Sequence, residues 1–225
     1  MQCCDTGNNK MQKCLNKSTI LRLARYLRVL KKLKPLGFVK VFSNNLGDAI
    51  GVTPSVVRKD FSMISIPGNK RGGYNIDNLI TELGAVLGKN QSHDVVLAGC
   101  GRIGSALMEY KEFAKDGIRL LAGFDLDPAR AGAKSIPVYD IKDMPEFIRS
   151  HNITVGIIAV PDTAAAQVLE KMTGAGIQGV LNFAPVELKG SGGCLILNVN
   201  LGLEIENLFY QVKLGDKQAD LSDLN

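Results

Sequence analysis

Six residues constrain this chain more than any others: Gly99-Cys100-Gly101-Arg102-Ile103-Gly104. They follow at once on a short apolar run, Val95-Val96-Leu97-Ala98, which suits a buried parallel strand. Ser105-Ala106-Leu107-Met108 continues as a helix, and Ile118 to Phe124 reads as a second strand ending at Asp125, 21 residues after Gly104. Strand, glycines, helix, strand and acid in this order are the requirements of a dinucleotide-binding loop. Gly99 permits the tight turn, Gly101 lets the backbone approach a pyrophosphate, and Gly104 lets the helix pack closely on the strand. The free N–H groups at the helix start favour phosphate. Asp125 can accept hydrogen bonds from a ribose 2′-hydroxyl and would repel a 2′-phosphate, so NAD+/NADH is expected over the phosphorylated form.

The strand–helix alternation continues. Pro137-Val138-Tyr139 reads as a short third strand, Ile141 to Ile148 as a helix, Val155 to Pro161 as a buried strand and Thr163 to Met172 as a helix. Gly179 to Pro185 and Leu195 to Val199 supply the last strands. The expected class is α/β, with a Rossmann-type doubly wound parallel sheet over residues 91–199. Val160 and Pro161 lie at a strand's carboxyl end, where such sheets bind ligands, and join the expected NAD(H) site. Asp162 reads as a surface or helix-cap residue rather than a catalytic base. Tyr110-Lys111 lacks the Tyr-x-x-x-Lys spacing of a reductase, and no catalytic residue is assigned. Too little chain follows the sheet for a separate substrate domain. Residues 200–212 instead carry an apolar helical stripe, Leu201, Ile205, Leu208, Phe209 and Val212, which needs cover from the chain's own sheet or from a partner. Residues 213–225 read as a polar tail.

Charge divides the chain. Residues 1–90 hold 15 of the 27 basic and 5 of the 22 acidic residues, a net of +10, and the remainder carries −5. A basic module that meets a polyanion is expected. After a polar tail over 1–16, a helix starts near Ser18, capped by Ser18 or Asn16, with Ile20, Leu23, Ala24, Leu27, Leu30 and Leu33 on one stripe. Pro35 and Gly37 end it. Ser43 is placed to cap a short helix burying Leu46 and Ile50, Gly51 breaks the chain, and Thr53-Pro54 starts the next helix. There Val57 and Phe61 face inward while Ser55, Arg58 and Lys59 face out. This is a helix-turn-helix pattern whose second helix fits a major groove. Pro67 to Tyr74, with Lys70 and Arg71 among glycines, suits a turn between short strands, the place of the wing in a winged helix, and Leu79 to Leu87 closes the domain at 17–90. The expected partner is double-stranded DNA.

Other classes are excluded by what is missing. No run approaches 18 consecutive apolar residues, and the N-terminus has no basic flank leading into an apolar stretch, so neither a membrane span nor a secretory signal is expected. The five cysteines are odd in number and widely spaced without a CxxC, and His93 and His151 have no partnering pattern. A metal site and a disulfide framework are not expected, and a reducing, cytoplasmic compartment is.

The whole resembles the Rex family of bacterial redox-sensing transcriptional repressors. The resemblance covers residues 17–212 and rests on Ser55 to Ser62, Gly73-Tyr74-Asn75, Gly99 to Leu107, Val160-Pro161 and Gly179-Val180-Leu181-Asn182-Phe183-Ala184-Pro185. It implies a homodimer whose C-terminal helices exchange between subunits, a palindromic operator, and loss of operator binding when NADH binds. It also implies a switch in which Arg22 and Tyr110 communicate with an acidic residue at the start of the swapped helix. That position is Asn200 in this chain, with Ile205, Leu208 and Phe209 beyond it on the interface. The alternative is a small NAD-dependent oxidoreductase with an accessory basic domain.

Overall fold

The structure is a computed structural model that describes residues 15–67, 72–89, 92–131, 135–190 and 192–222. The chain divides into two compact units between Gln91 and Ser92.

The first unit opens with α1 (Lys17–Leu33), which Asn16 caps by accepting the Thr19 N–H at 2.9 Å. Leu23, Leu27 and Leu30 are buried as their spacing predicts, but Ile20 is 43% exposed and Tyr26 is fully buried in its stead. The inward stripe is therefore Leu23-Tyr26-Leu27-Leu30, three- and four-residue steps that include an aromatic. A 3-10 turn over Lys34–Leu36 and Gly37 in the left-handed region (φ +84) end the helix. Then follow β1 (Lys40–Val41), α2 (Ser43–Ile50), α3 (Pro54–Met63), β2 (Tyr74–Asn75) and α4 (Ile76–Val86).

Two local expectations need correction. Ser43 is the first helical residue rather than the cap; Phe42 holds the cap position, and its N–H donates to Asn45 Oδ1 at 3.1 Å. Thr53 and Pro54 take the expected places at the start of α3. The wing is not a self-contained pair of strands among the described residues. β2 pairs antiparallel with β1, Lys40 opposite Asn75 and Val41 opposite Tyr74. Ser65 at φ +62 and Pro67, which has no N–H to give a ladder, keep residues 64–67 from forming a strand. Lys70 and Arg71 lie outside the described residues, as does the segment 1–14. The core joins Leu23, Leu27, Leu30, Leu46, Val57, Ile76 and Leu83 around edge-to-face contacts of Phe61 with Tyr26 (5.4 Å) and Tyr74 (5.1 Å).

The second unit is the doubly wound sheet. Its elements are β3 (His93–Ala98), α5 (Arg102–Met108), α6 (Glu112–Lys115), β4 (Ile118–Asp125), β5 (Val138–Asp140), α7 (Met144–Ser150), β6 (Val155–Ile158), α8 (Asp162–Ala175), β7 (Gly179–Asn182), β8 (Leu195–Asn198) and α9 (Leu201–Ser222). The strand order is β5-β4-β3-β6-β7-β8 with every ladder parallel. The order reverses between β3 and β6, so a ligand crevice opens at their carboxyl ends. One face of the sheet buries Val96, Ala98, Phe124 and Ile158 against Met144, Ile148, Val168 and Met172 of α7 and α8. The other buries Val95, Leu97 and Ile157 with Met108. The four-residue α6 carries no sequence periodicity that would reveal it. The polar stretch after residue 212, expected as a tail, continues α9 as far as Ser222. Its Lys, Gln, Leu and Ala are good helix formers, and polarity by itself does not stop a helix.

Candidate functional site

The loop between β3 and α5 puts each glycine to a different physical use. Gly99 has φ +92, and a Cβ there would lie 2.5 Å from the Ala159 carbonyl oxygen and 2.9 Å from Val160 Cγ1. A Cβ on Gly104 would collide with the Gly99 carbonyl oxygen and press Leu97 at 3.3 Å. These two positions are closed to any larger residue. Gly101 is the opposite: nothing lies within 4 Å of where its Cβ would be, and its φ is −64. Bare backbone thus faces open space at the start of α5, where the first N–H groups of a helix have no partners within it.

Asp125 closes the loop from the end of β4. Its Oδ2 accepts the Cys100 N–H at 2.7 Å and its Oδ1 accepts the Asp127 N–H at 3.1 Å. The carboxylate therefore tethers the glycine loop while its remaining lone pairs stay open to a hydroxyl. Cys100 contributes its backbone; its side chain is 7% exposed and packs into the core beside Met108. Arg102, Ile103 and Pro161 are exposed, and Val160 is buried beside Gly99. The structure thus brings together the expected residues Gly99 to Gly104, Asp125 and Val160 at the carboxyl ends of β3, β4 and β6. The donor set is backbone amides with a single carboxylate, which fits a pyrophosphate joined to a ribose. Among the described residues no group of His, Cys, Asp and Glu could hold a metal ion, and no helix is long and apolar enough to cross a membrane.

In the first unit, Ser55, Arg58 and Lys59 are exposed on one side of α3, while Val57, Asp60 and Phe61 are buried on the other. Arg58 Nη1 donates to Ser43 Oγ at 3.1 Å, so the start of α2 holds this guanidinium. The buried side is anchored by a polar network that sequence reasoning passes over. Arg22 Nε and Nη2 each donate to Asp60 at 2.7 Å, Nη2 also reaches Thr19 Oγ1 at 3.0 Å, and the Tyr26 hydroxyl donates to Asp60 at 3.1 Å. Asp60 is 1% exposed, and its charge holds the Arg22 proton more firmly than usual. Burial, and then the neighbouring Asp60 charge, push the Tyr26 phenol above its ordinary range. The signal for Asp60 is its place between Val57 and Phe61 on the inward face, where a lone carboxylate requires a cation.

The remaining expected residues are placed as follows. Arg22 is committed to Asp60. Asn200 caps α9, its Oδ1 accepting the N–H groups of Gly202 (3.0 Å) and Leu203 (3.2 Å). Tyr110 is half exposed, stands edge-on to Phe113 at 5.1 Å, and lines a groove of about 510 Å³ with Leu107, Leu120 and Ile136. Ile205, Leu208 and Phe209 are 53%, 58% and 67% exposed, so none of the described residues covers them.

Comparison with known proteins gives the same division. Residues 15–62 match the family model "Putative DNA-binding protein N-terminus", and residues 90–186 match the model "CoA binding domain". The redox-sensing transcriptional repressor Rex of Pelotomaculum thermopropionicum is 37% identical over 204 residues, which cover 90% of this chain and 96% of that protein. The Rex repressor of Clostridioides difficile is 35% identical, covering 90% and 98%. Among solved structures, the Rex-family repressor RSP in complex with β-NAD+ and operator DNA has a TM-score of 0.82 at 28% identity, covering 93% of this chain and 98% of that one. RSP in complex with β-NADH has a TM-score of 0.78 at 29% identity, covering 93% and 99%.

Proposed function

This chain belongs to the Rex family of redox-sensing transcriptional repressors, and from that premise we propose that it acts as a homodimer that holds operator DNA until NADH loads the loop at Gly99 to Gly104. It is a repressor that binds operator DNA and NAD(H), and a regulator rather than an oxidoreductase. α3 enters the major groove with Ser55, Arg58 and Lys59, and Arg58 donates to a base edge. Lys70 and Arg71 attach to phosphates or the minor groove. The pyrophosphate crosses above Gly101, the adenosine ribose meets Asp125, and Val160 and Pro161 flank the far side of the crevice.

The homodimer reading is supported by α9, whose apolar residues from Leu201 to Val212 all stand more than half exposed. A stripe of that size on a soluble chain needs a partner surface. A two-fold pair of α3 helices then matches a palindrome. The cytoplasm is the compartment assigned, in keeping with DNA as the target and with the unpatterned cysteines.

The observation that carries the reading is the coexistence in one chain of a glycine loop closed at Gly99 and Gly104, open at Gly101 and tethered by Asp125, with a helix-turn-helix whose cations face out. Release by NADH requires NADH to bind the DNA-incompetent state more tightly than the competent one. The test is fluorescence anisotropy of a labelled palindromic duplex with nucleotide-free protein, NAD+ and NADH in parallel. Weaker binding in NADH than in NAD+ is expected, and equal binding in all three overturns the switch.

A further inference from the structure

NAD+ and NADH share the adenosine half and differ only at the nicotinamide ring. A response that tells them apart must therefore begin in the half-site that holds that ring. In a sheet of this order the two mononucleotide halves sit on either side of the reversal, so the second lies over the carboxyl ends of β6, β7 and β8. The loop that leaves β7 there, Phe183 to Leu188, is not left to itself. Its first N–H, that of Phe183, donates to the Ile158 carbonyl of β6 at 2.8 Å. Two asparagines side by side in register, Asn182 on β7 and Asn198 on β8, bind the rest.

Asn182 is 1% exposed. Its Nδ2 donates to the Val186 carbonyl at 2.7 Å and to Asn198 Oδ1 at 2.8 Å, and its Oδ1 accepts the Ala184 N–H at 3.0 Å. Asn198 clasps Leu188 from both sides: its Oδ1 accepts the Leu188 N–H at 3.1 Å and its Nδ2 donates to the Leu188 carbonyl at 3.0 Å. Each amide thus makes three hydrogen bonds, which together join the loop to the end of β8. Two residues beyond Asn198 stands Asn200, the cap of α9. The loop beside the expected nicotinamide position and the end of β8 are one hydrogen-bonded unit, from which two residues of chain lead to the start of α9.

We propose that the Asn182–Asn198 pair is the positioning element that transmits nicotinamide state to α9, setting the angle at which that helix leaves the sheet. The proposal rests on the redox-sensor reading above. Neither asparagine is assigned a contact with the nucleotide, so the pair governs the response rather than the affinity.

The experiment compares operator affinity in saturating NADH and in saturating NAD+, for wild type, Asn182→Ala, Asn198→Ala, the double variant and Asn198→Asp, with NADH affinity measured separately by calorimetry. Asn198→Ala is expected to shrink the NADH/NAD+ ratio of operator dissociation constants by about fivefold or more, while NADH affinity stays within about threefold of wild type. The double variant should do no more than either single one, because one linkage is being cut. Asn198→Asp keeps both acceptor contacts but sets a carboxylate against the Leu188 carbonyl, and its ratio should fall between wild type and Asn198→Ala. If Asn198→Ala does not fold, Asn198→Asp decides: an unchanged ratio overturns the relay. A wild-type ratio in Asn198→Ala, or a ratio lost only because NADH no longer binds, also overturns it and leaves the redox reading standing. A wild type whose operator affinity is the same in both nucleotides removes the redox reading and the relay together.

Discussion

Replacing Gly101 by alanine separates what the loop needs in order to fold from what it needs in order to bind. The new methyl group would meet no protein atom within 4 Å, and φ is −64, a value alanine accepts. Folding stability should therefore change by less than about 1 kcal/mol, and a small gain is reasonable because the unfolded chain loses freedom. The nucleotide meets a different situation. The methyl occupies the space over which a pyrophosphate must approach bare backbone, so it has to be pushed back from the helix N–H groups. The loss of one charge-assisted hydrogen bond is worth about 1.5–3 kcal/mol, or roughly ten- to a hundredfold in affinity. Gly104→Ala is the control of opposite character. Its methyl would collide with the Gly99 carbonyl, and overpacking of this kind costs about 1–3 kcal/mol or more before any ligand is added. Thermal melting without nucleotide, together with calorimetric titration of NADH, reads both quantities. A Gly101→Ala protein that melts like wild type and binds NADH like wild type would refute the path assigned to the pyrophosphate.

Other substitutions test the remaining assignments. Asp125→Ala removes the proposed ribose acceptor and the tether on the Cys100 N–H, so NADH should weaken and its margin over NADPH should narrow; titration of both nucleotides checks this. Asp60→Ala leaves Arg22 without its partner in the core of the first unit, and should cost about 3 kcal/mol, the low end for a broken buried pair because Arg22 is 23% exposed; NADH affinity should stay as it is while operator binding collapses. Tyr26 has its folded-state pKa raised above that of the unfolded chain, so its contribution to stability is complete below about pH 10 and is lost as the pH climbs through the folded value. Melting at rising alkaline pH should show this decline, and Tyr26→Phe should flatten it. Arg58→Ala should cost about 1–3 kcal/mol of operator affinity and blunt discrimination between sequences, as competition with mismatched duplexes would show. Leu208→Asp should drive the dimer to monomer in sedimentation; an unchanged dimer would remove α9 from the interface.

What a sequence displays most openly is a residue type forced by the backbone. Gly99, Gly104 and Asp125 are readable because only glycine tolerates the contacts at the first two positions, and because a carboxylate at the end of the second strand falls at a set distance along the chain. The six strands are readable for a similar reason, as short apolar runs punctuated by glycine and proline. What stays hidden is pairing across long stretches of chain. Nothing in Ser55 to Phe61 announces that Asp60 belongs to Arg22, 38 residues earlier, nor that Asn182 will face Asn198. Register between strands decides the second pair, and register is a property of the whole sheet. The two errors at element ends have local causes. The Asn45 side chain bonds the Phe42 N–H and moves the cap one residue back, from Ser43 to Phe42. Beyond residue 212, polar composition is a poor guide, since a polar sequence and a helical backbone are compatible.

The two faces of α3 divide holding from reading. Val57, Asp60 and Phe61 fix the helix in its unit, whereas Ser55, Arg58 and Lys59 are exposed, with Arg58 reaching Ser43 at the start of α2. The outward set can therefore vary at little cost to folding, and under the proposed reading role a new operator preference lies a few codons away from the present one. A library that randomises those three positions and leaves the anchored face untouched would explore regulators of altered target but equal stability, each still wired to the same nucleotide.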